Sequence, residues 1–130
     1  MRAPAAILIA CLLAGCSLFR SGSGGGGSWK GPHAGEVRAH ALEMWQAEGL
    51  PSDGFNALTV TTAAPVALPP RKLSITESHG SGRFVVKFRA TDPPGWLIRH
   101  EAAHIVLLSQ GTRGHPRAFG RKYGLSEWHD

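Results

Sequence analysis

The segment from Trp96 to Leu108 constrains the fold most, because it is apolar around nearly its whole circumference when drawn as a helix. A helix of that kind is buried, so we expect it at the centre of the domain. Asp92 offers an N-cap and Pro93 suits the first helical position. The helix is expected to continue to Gln110 and to end at Gly111.

Four polar side chains interrupt this apolar helix: Arg99, His100, Glu101 and His104. Burying such groups is costly unless each has a partner. The order His100-Glu101-x-x-His104 is the H-E-x-x-H motif, in which both imidazoles lie one turn apart and can bind one ion. Glu101 lies about 100° round the helix, near enough to hold a metal-bound water. The expected ion is Zn²⁺. The alternative is a pair of hydrogen-bonded core histidines beside an exposed Glu101.

A third ligand has to come from outside this helix, and His115 is the best candidate. Gly111 and Gly114 permit a sharp reversal of the chain, and Pro116 can start another helix that continues through Tyr123. The reversal would bring His115 beside the first two imidazoles. The alternative for His115 is a surface helix cap. The weaker ligand candidates are His33, His40, His79 and His129.

The elements upstream predict an α+β fold. Helical spacing of apolar residues indicates a helix over Glu36–Glu48. Strands are predicted at Phe55–Thr62, Leu73–Thr76 and Arg83–Arg89, and the glycine-rich turn before the last one indicates a hairpin. We therefore expect an N-terminal helix, a small antiparallel sheet of about three strands, the H-E-x-x-H helix and a short C-terminal helix.

The N-terminus has the features of an export signal. Residues 1–16 combine an early arginine with a short apolar stretch, and Leu13–Cys16 resembles the lipobox of bacterial lipoprotein signal peptides. That resemblance implies that Cys16 is lipidated, and Ser17 after it favours the outer membrane of a bacterial envelope over the inner one. The alternatives are a plain membrane anchor and a buried N-terminal helix.

The remaining chain divides into a tether and one domain. Residues 17–28 are rich in Gly and Ser and are typical of a flexible tether. Residues 29–130 are enough for one modest core. Both cysteines lie in the first sixteen residues, so the domain can contain neither a disulfide framework nor a cysteine-ligated zinc finger.

The motif residues resemble one family of known proteins. H-E-x-x-H from His100, followed by G-H-x-x-x-F from Gly114, is similar to the SprT-like group and related minimal gluzincins, which are zinc metallopeptidases. The resemblance implies that His100, His104 and His115 are the metal ligands and that Glu101 is the catalytic acid/base.

The chain departs from this family in two respects that bear on its partners. Relatives that act on DNA-bound proteins are intracellular and often carry a cysteine zinc ribbon, whereas this chain has an export signal and no such cysteines. Its basic residues are also not interleaved with aromatic ones, as a nucleic-acid platform requires. A nucleic-acid partner is therefore disfavoured.

The sequence does not fit the metzincin pattern, since Leu107 and Gln110 stand where that pattern has glycine and histidine.

Several other residues are candidates for roles around the ion. Tyr123 and His129, with His79, are possible donors to charge that develops in a transition state. The Arg83–Arg89 strand could bind an extended peptide by strand addition, or could be an ordinary edge strand blunted by its charges. The basic residues near the third helix favour acidic peptides or an anionic membrane surface, or form a solvated helix face: Arg113, Arg117, Arg121 and Lys122.

Together these features predict a zinc metallopeptidase that acts on peptides or proteins and is held to the membrane through a lipid on Cys16. Two alternatives remain at this point. One is a zinc-binding envelope lipoprotein without turnover, and the other is a small envelope lipoprotein without metal. The oligomeric state is left open.

Overall fold

A computed structural model describes residues 27–63, 68–125 and 128 of the chain. The elements run, in order, β1 (Ser28–Lys30), α1 (Ala34–Ala47), β2 (Ala57–Thr62), β3 (Ser74–Ser78), β4 (Arg83–Phe88), α2 (Gly95–Ser109) and α3 (Arg117–Tyr123). The expected α+β class is confirmed. The export signal, Cys16 and nearly all of the predicted tether lie outside the described residues.

The sheet is mixed, so the prediction of an antiparallel sheet of about three strands is wrong. Its four strands lie in the order β1-β2-β4-β3. Only β3 and β4 pair antiparallel, as the predicted hairpin, whereas β1 with β2 and β2 with β4 are parallel. The physical reason is connectivity: helix α1 separates β1 from β2, and a helical crossover is what parallel neighbours require. Strand β1 was not predicted, because three residues are too few to show a periodic pattern.

The core lies between one face of the sheet and the two long helices. Alternate residues of the central strands β2 and β4 point into it, as a period of two requires: Leu58, Val60, Phe84, Val86 and Phe88. Helix α1 contributes Val37, Ala41, Met44 and Trp45, and α2 contributes a buried stripe that includes Ala102, Ile105 and Val106. The predicted burial of α2 is confirmed.

Helix α2 begins two residues later than the sequence predicts. Pro94 occupies the N-cap position with an extended ψ of 155°, and its carbonyl accepts hydrogen bonds from the amides of Leu97 and Ile98. Asp92 and Pro93 precede the helix. A proline disfavours helical geometry in the residue before it, so the second of two consecutive prolines delays the start. The other end agrees with the prediction, since Gly111 follows the C-cap with a φ of 77°.

Strand β4 is an inner strand, so neither reading of it as an edge is correct. It pairs with β2 on one side and β3 on the other. The edge strand next to α2 is β3 instead, because β3 pairs with β4 on the side opposite to β2. Strand β3 is therefore the edge strand of the sheet that lies next to the histidine-bearing helix.

Candidate metal centre

Three imidazoles converge at one point beside α2. His100 and His104 stand one turn apart on the helix, and the Nε2 atom of His115 lies 3.2 Å from that of His100 and 3.1 Å from that of His104. Two nitrogens bound to zinc in tetrahedral geometry at about 2.0–2.1 Å are about 3.3–3.4 Å apart. The three rings, all half-buried, are thus close enough to hold one metal ion, as the sequence predicted.

The turn after α2 delivers the third imidazole. The amide of Gly111 donates to the carbonyl of Leu108, and the amide of Thr112 donates to that of Leu107 at 2.8 Å. This is the Schellman arrangement that ends a helix and reverses the chain. Gly114, with a φ of 86°, makes a second bend immediately before His115. Both bends need the left-handed region that glycine adopts without steric cost, so the two glycines do what the sequence assigned to them.

Burial keeps one of the rings in the form that binds metal. Desolvation by burial, together with smaller contributions from the nearby His115 and the Lys72 ammonium, lowers the pKa of His104 from 6.5 to about 4. A metal ligand must be a neutral imidazole, because a protonated ring has no lone pair to give. At neutral pH the His104 side chain therefore needs no proton loss before it can coordinate an ion.

Glu101 is buried, which contradicts the alternative in which it was exposed. Its side chain is 4% exposed, and its carboxylate accepts two short hydrogen bonds from the edge strand β3. Ser74 donates to Oε2 at 2.6 Å and Thr76 donates to Oε1 at 2.6 Å. A carboxylate has about four lone-pair sites, so each oxygen keeps capacity for one further donor such as water.

A cleft of about 460 Å³ joins the histidines to Glu101. Its volume lies within the usual range of ligand sites. One wall comes from the turn before β3 and from β3 itself, and the other comes from α2 and the turn that carries His115. The lining side chains are Arg71, Lys72, Leu73, Ser74, Ile75, Thr76, Trp96, Leu97, His100, Glu101, His104, Leu108, Arg113 and His115. All three candidate ligands and the candidate base thus face one cavity.

Trp128 packs against the same three imidazoles. Its ring centroid lies 4.9 Å from that of His100, 5.2 Å from that of His104 and 4.6 Å from that of His115. The indole N–H donates to the carbonyl of Pro116 at 2.8 Å, which fixes the ring. Trp128 does not line the cleft, so it contacts the histidines from another side. An apolar wall of this kind limits the access of water to a metal site.

Arg99 holds α2 in place one residue before the first histidine. Its guanidinium forms a bidentate pair with Glu43 of α1, with N–O distances of 3.0 and 3.2 Å. It also lies 3.0 Å from Nδ1 of His40 and donates to the carbonyl of Tyr123 at the end of α3. The hydrogen bond from Arg99 lowers the pKa of Glu43. One side chain thereby joins all three helices.

Tyr123 is not brought into the cleft. Its hydroxyl donates to Glu48 at the end of α1, and Glu48 also accepts from Lys122 at 2.7 Å and from Gln110 at 2.9 Å. Hydrogen bonds from Lys122, then Tyr123 and Gln110, lower the pKa of Glu48 to about 2. The candidate transition-state donor is therefore part of a cluster that joins α1 to α3.

The other sequence candidates lie away from the three imidazoles or outside the described part. His79 is exposed and contacts Glu77 at 3.0 Å. His33 contacts Glu36 at 2.6 Å. His129 and Cys16 lie outside the described residues.

Sequence reasoning missed Ser74, Thr76 and Trp128. A signal was available for the first two, because hydroxyl residues two positions apart on a predicted strand share one face. No comparable pattern marks Trp128, which contacts the site across a gap of many residues.

The chain matches no protein-family model, no curated protein and no solved structure. Among the described residues, none of the helices has both the length and the apolarity needed to cross a bilayer.

Proposed function

We propose that the chain is a zinc-dependent metallopeptidase in which His100, His104 and His115 hold the ion and Glu101 is the general base. The observation that carries this proposal is the convergence of three Nε2 atoms at a cleft that also contains a buried carboxylate. The nitrogen-only donor set suits Zn²⁺, and three protein ligands leave one position open. When bound, zinc supplies Lewis acidity and makes water more acidic.

Glu101 can move a proton at its carboxylate because of how the fold holds it. The hydroxyls of Ser74 and Thr76 anchor one donor on each oxygen, which sets the orientation of the carboxylate without using all its lone pairs. The remaining lone pairs can take a proton from water and pass it to the leaving amine.

Strand β3 is suited to align a peptide along the cleft. At the two ends of the hairpin, the amide of His79 donates to the carbonyl of Arg83 and the amide of Arg89 donates to the carbonyl of Leu73. The backbone N–H and C=O groups of the odd-numbered residues of β3 therefore point toward β4. Those of Ser74 and Thr76 point to the outer edge of the sheet. An extended substrate that pairs with this edge would lie beside Glu101 and the histidines.

The proposed location follows from the N-terminal sequence. A lipid on Cys16 would anchor the protein to the bacterial envelope, with the outer membrane favoured, and the tether would let the domain reach its substrates. A nucleic-acid partner stays disfavoured.

A zinc-binding envelope lipoprotein without turnover is the second candidate. The observation that favours it is the pair of hydrogen bonds at Glu101, since a carboxylate that links α2 to β3 has a structural task already. The two functions differ in what Glu101 does beyond that link.

The test is zinc content and proteolysis of the purified full chain. We expect about one zinc per chain and cleavage of an unfolded protein such as casein. Glu101→Gln should keep the zinc and lose about 10²–10⁴-fold in rate, because the amide has nearly the shape of the carboxylate but accepts no proton. His115→Ala should lose both the zinc and the proteolytic activity. His79→Ala, which changes an exposed histidine, should keep the zinc and the activity.

Each other outcome has a definite reading. Stoichiometric zinc without cleavage by the wild-type chain would favour the non-catalytic lipoprotein. Zinc at a small fraction of one per chain, unchanged in His115→Ala, would remove the metal from the proposal altogether.

A further inference from the structure

Three cations line the cleft without acidic partners. Arg71, Lys72 and Arg113 are exposed and line the cavity. Among the described residues, no carboxylate forms an ion pair with any of them. Glu101 is the one acidic side chain in the lining, and its oxygens already accept from two hydroxyls. The cleft therefore carries an excess of positive charge.

Several cations elsewhere in the described part do have acidic partners. The pairs are Lys87 with Glu77 at 3.2 Å, Arg99 with Glu43 at 3.0 Å and Lys122 with Glu48 at 2.7 Å. Other cations of the described part, such as Lys30 and Arg121, also form no ion pair with a described carboxylate, but Arg71, Lys72 and Arg113 are the ones gathered at this cavity. A cleft lined by one sign of charge attracts ligands of the other sign.

The turn that presents two of these cations is held in a strained form. The amide of Lys72 donates to the carbonyl of Pro69, and Arg71 has a φ of 71°, a left-handed conformation that favours glycine. The Arg89 guanidinium then donates to the carbonyls of Lys72 at 2.8 Å and Pro69 at 2.9 Å. The fold thus fixes arginine at a position where glycine would be less strained, and strain of this kind clusters at binding sites.

The cleft also contains apolar side chains that the core leaves exposed. Leu73 is 54% exposed and Trp96 is 38% exposed, and these are the large apolar residues classed as exposed in the described part. Both line the same cavity. An exposed aromatic and an exposed leucine beside a polar site offer contact area to a bulky side chain of a ligand.

We infer that this cleft binds an extended peptide that carries carboxylates together with a bulky apolar residue. Arg71, Lys72 and Arg113 pair with the carboxylates, and Leu73 and Trp96 contact the apolar side chain. This inference rests on the proposed function for cleavage of such a peptide, but binding requires only the cleft. The carboxylates can belong to acidic side chains or to a peptide C-terminus.

The test is calorimetric titration of four synthetic peptides into the zinc-loaded full chain carrying Glu101→Gln, so that cleavage does not interfere. The first peptide has Glu on both sides of one Phe and an amidated C-terminus. The second has Gln in place of Glu, and the third is the second with a free C-terminal carboxylate. The fourth is the first with Ala in place of Phe.

We expect the Glu peptide to bind at least about fivefold more tightly than the Gln peptide, with each exposed pair contributing about two- to fivefold. Tighter binding of the third peptide than of the second would assign the carboxylate to a C-terminus. Equal binding of the first three peptides would overturn the inference. Equal binding of the first and fourth would remove its apolar part.

Matched charge variants locate the effect. Lys72→Gln with Arg113→Gln should abolish most of the preference for Glu, whereas Lys30→Gln with Arg121→Gln removes the same charge outside the cleft and should keep it. Arg71→Gly should weaken binding of the Glu peptide while leaving the urea midpoint unchanged or higher, because it relieves the strained φ. Loss of preference in the control pair would overturn the inference.

Cleavage is measured separately with the wild-type chain. Preferential binding that depends on Lys72 and Arg113, without cleavage, would refute the proposed peptidase and leave the inference standing. Cleavage of the Glu and Gln peptides at equal rates, with equal affinity, would support the proposed peptidase and overturn the inference. Binding to vesicles of phosphatidylglycerol that Lys72→Gln with Arg113→Gln abolishes, without any peptide preference, would overturn the inference and assign the cations to an anionic lipid surface.

Discussion

Replacing Thr76 with valine tests how the structure holds Glu101. Valine has nearly the same shape as threonine, so Thr76→Val removes the hydroxyl and little else. That hydroxyl has one proton, which goes to Oε1 of Glu101 at 2.6 Å rather than to the Glu101 carbonyl at 3.1 Å. Since Glu101 is 4% exposed, loss of this donor leaves a buried oxygen with one partner fewer.

The expected loss is about 2 kcal/mol in the free energy of unfolding. A hydrogen bond to a charged partner contributes about 1.5–3 kcal/mol, and loss of one partner leaves a buried oxygen with a full desolvation penalty. For a domain of this size such a loss lowers Tm by roughly 8–16 °C. Ser74→Ala should cost a similar amount, because Ser74 is 7% exposed and donates to the other oxygen. Both changes together should cost about 3–5 kcal/mol, as for an unpaired buried charge.

Urea unfolding measures these losses as a lower midpoint at unchanged m. Thr76→Ser keeps the donor and should cost less than about 1 kcal/mol, which is the value of one methyl group. Thr59→Val makes the same chemical change at an exposed position of β2 and should be neutral. If Thr76→Val unfolds within about 0.5 kcal/mol of the wild type, the hydrogen bond from Thr76 does not hold Glu101 in place and this account of the base is refuted.

Three further predictions concern metal, pH and packing. Zinc at about 100 times its Kd should stabilise the wild type by about 2.7 kcal/mol, seen as a higher Tm, but should barely affect His115→Ala; an equal shift in both would contradict the site. The donors to Glu48 lower its pKa to about 2, so its contribution is present above its ordinary value of 4.5 and is lost as pH falls from there toward 2. Glu48→Gln should make the urea midpoint depend less on pH in that range, and an unchanged pH dependence would refute this. Gly120→Ala would place its Cβ 2.2 Å from the Trp128 ring, so it should cost about 1–3 kcal/mol and alter the near-ultraviolet circular dichroism. Gly35→Ala, with open space around it in α1, should instead stabilise by about 0.5–1 kcal/mol.

The helices and the three imidazoles could be predicted because their signals are local. Apolar periodicity indicated α1 and α2, and positions four apart on a helix must share a face. The placement of His115 needed only the two glycines of the turn and the proline after it. Boundaries were less accurate, as the delayed start of α2 after Pro94 shows.

The sheet could not be predicted correctly because strand pairing is a relation between distant segments. Strand β1 has three residues and no pattern of its own, yet it makes the sheet four-stranded. The position of β3 beyond β4, rather than between β2 and β4, decides that β2 and β4 are neighbours and so form a parallel pair. No residue type encodes that choice locally.

The same limit applies to the environment of the candidate base. A helical motif indicated that Glu101 was important, but its hydroxyl partners lie on a strand 25 and 27 positions earlier. Tyr123 was a reasonable donor on residue type alone, and its actual partner Glu48 lies 75 positions away. Contacts over such distances follow from the assembled fold.

Trp128 gives the protein a built-in optical probe of its three imidazoles. Its ring centroid lies within 5.2 Å of each of theirs, so an ion held there would be a close neighbour of the indole. Cobalt or copper, which quench tryptophan emission at short range, should lower the fluorescence of Trp128, whereas zinc should not. Occupancy of the metal site can then be followed by tryptophan fluorescence in the unlabelled protein.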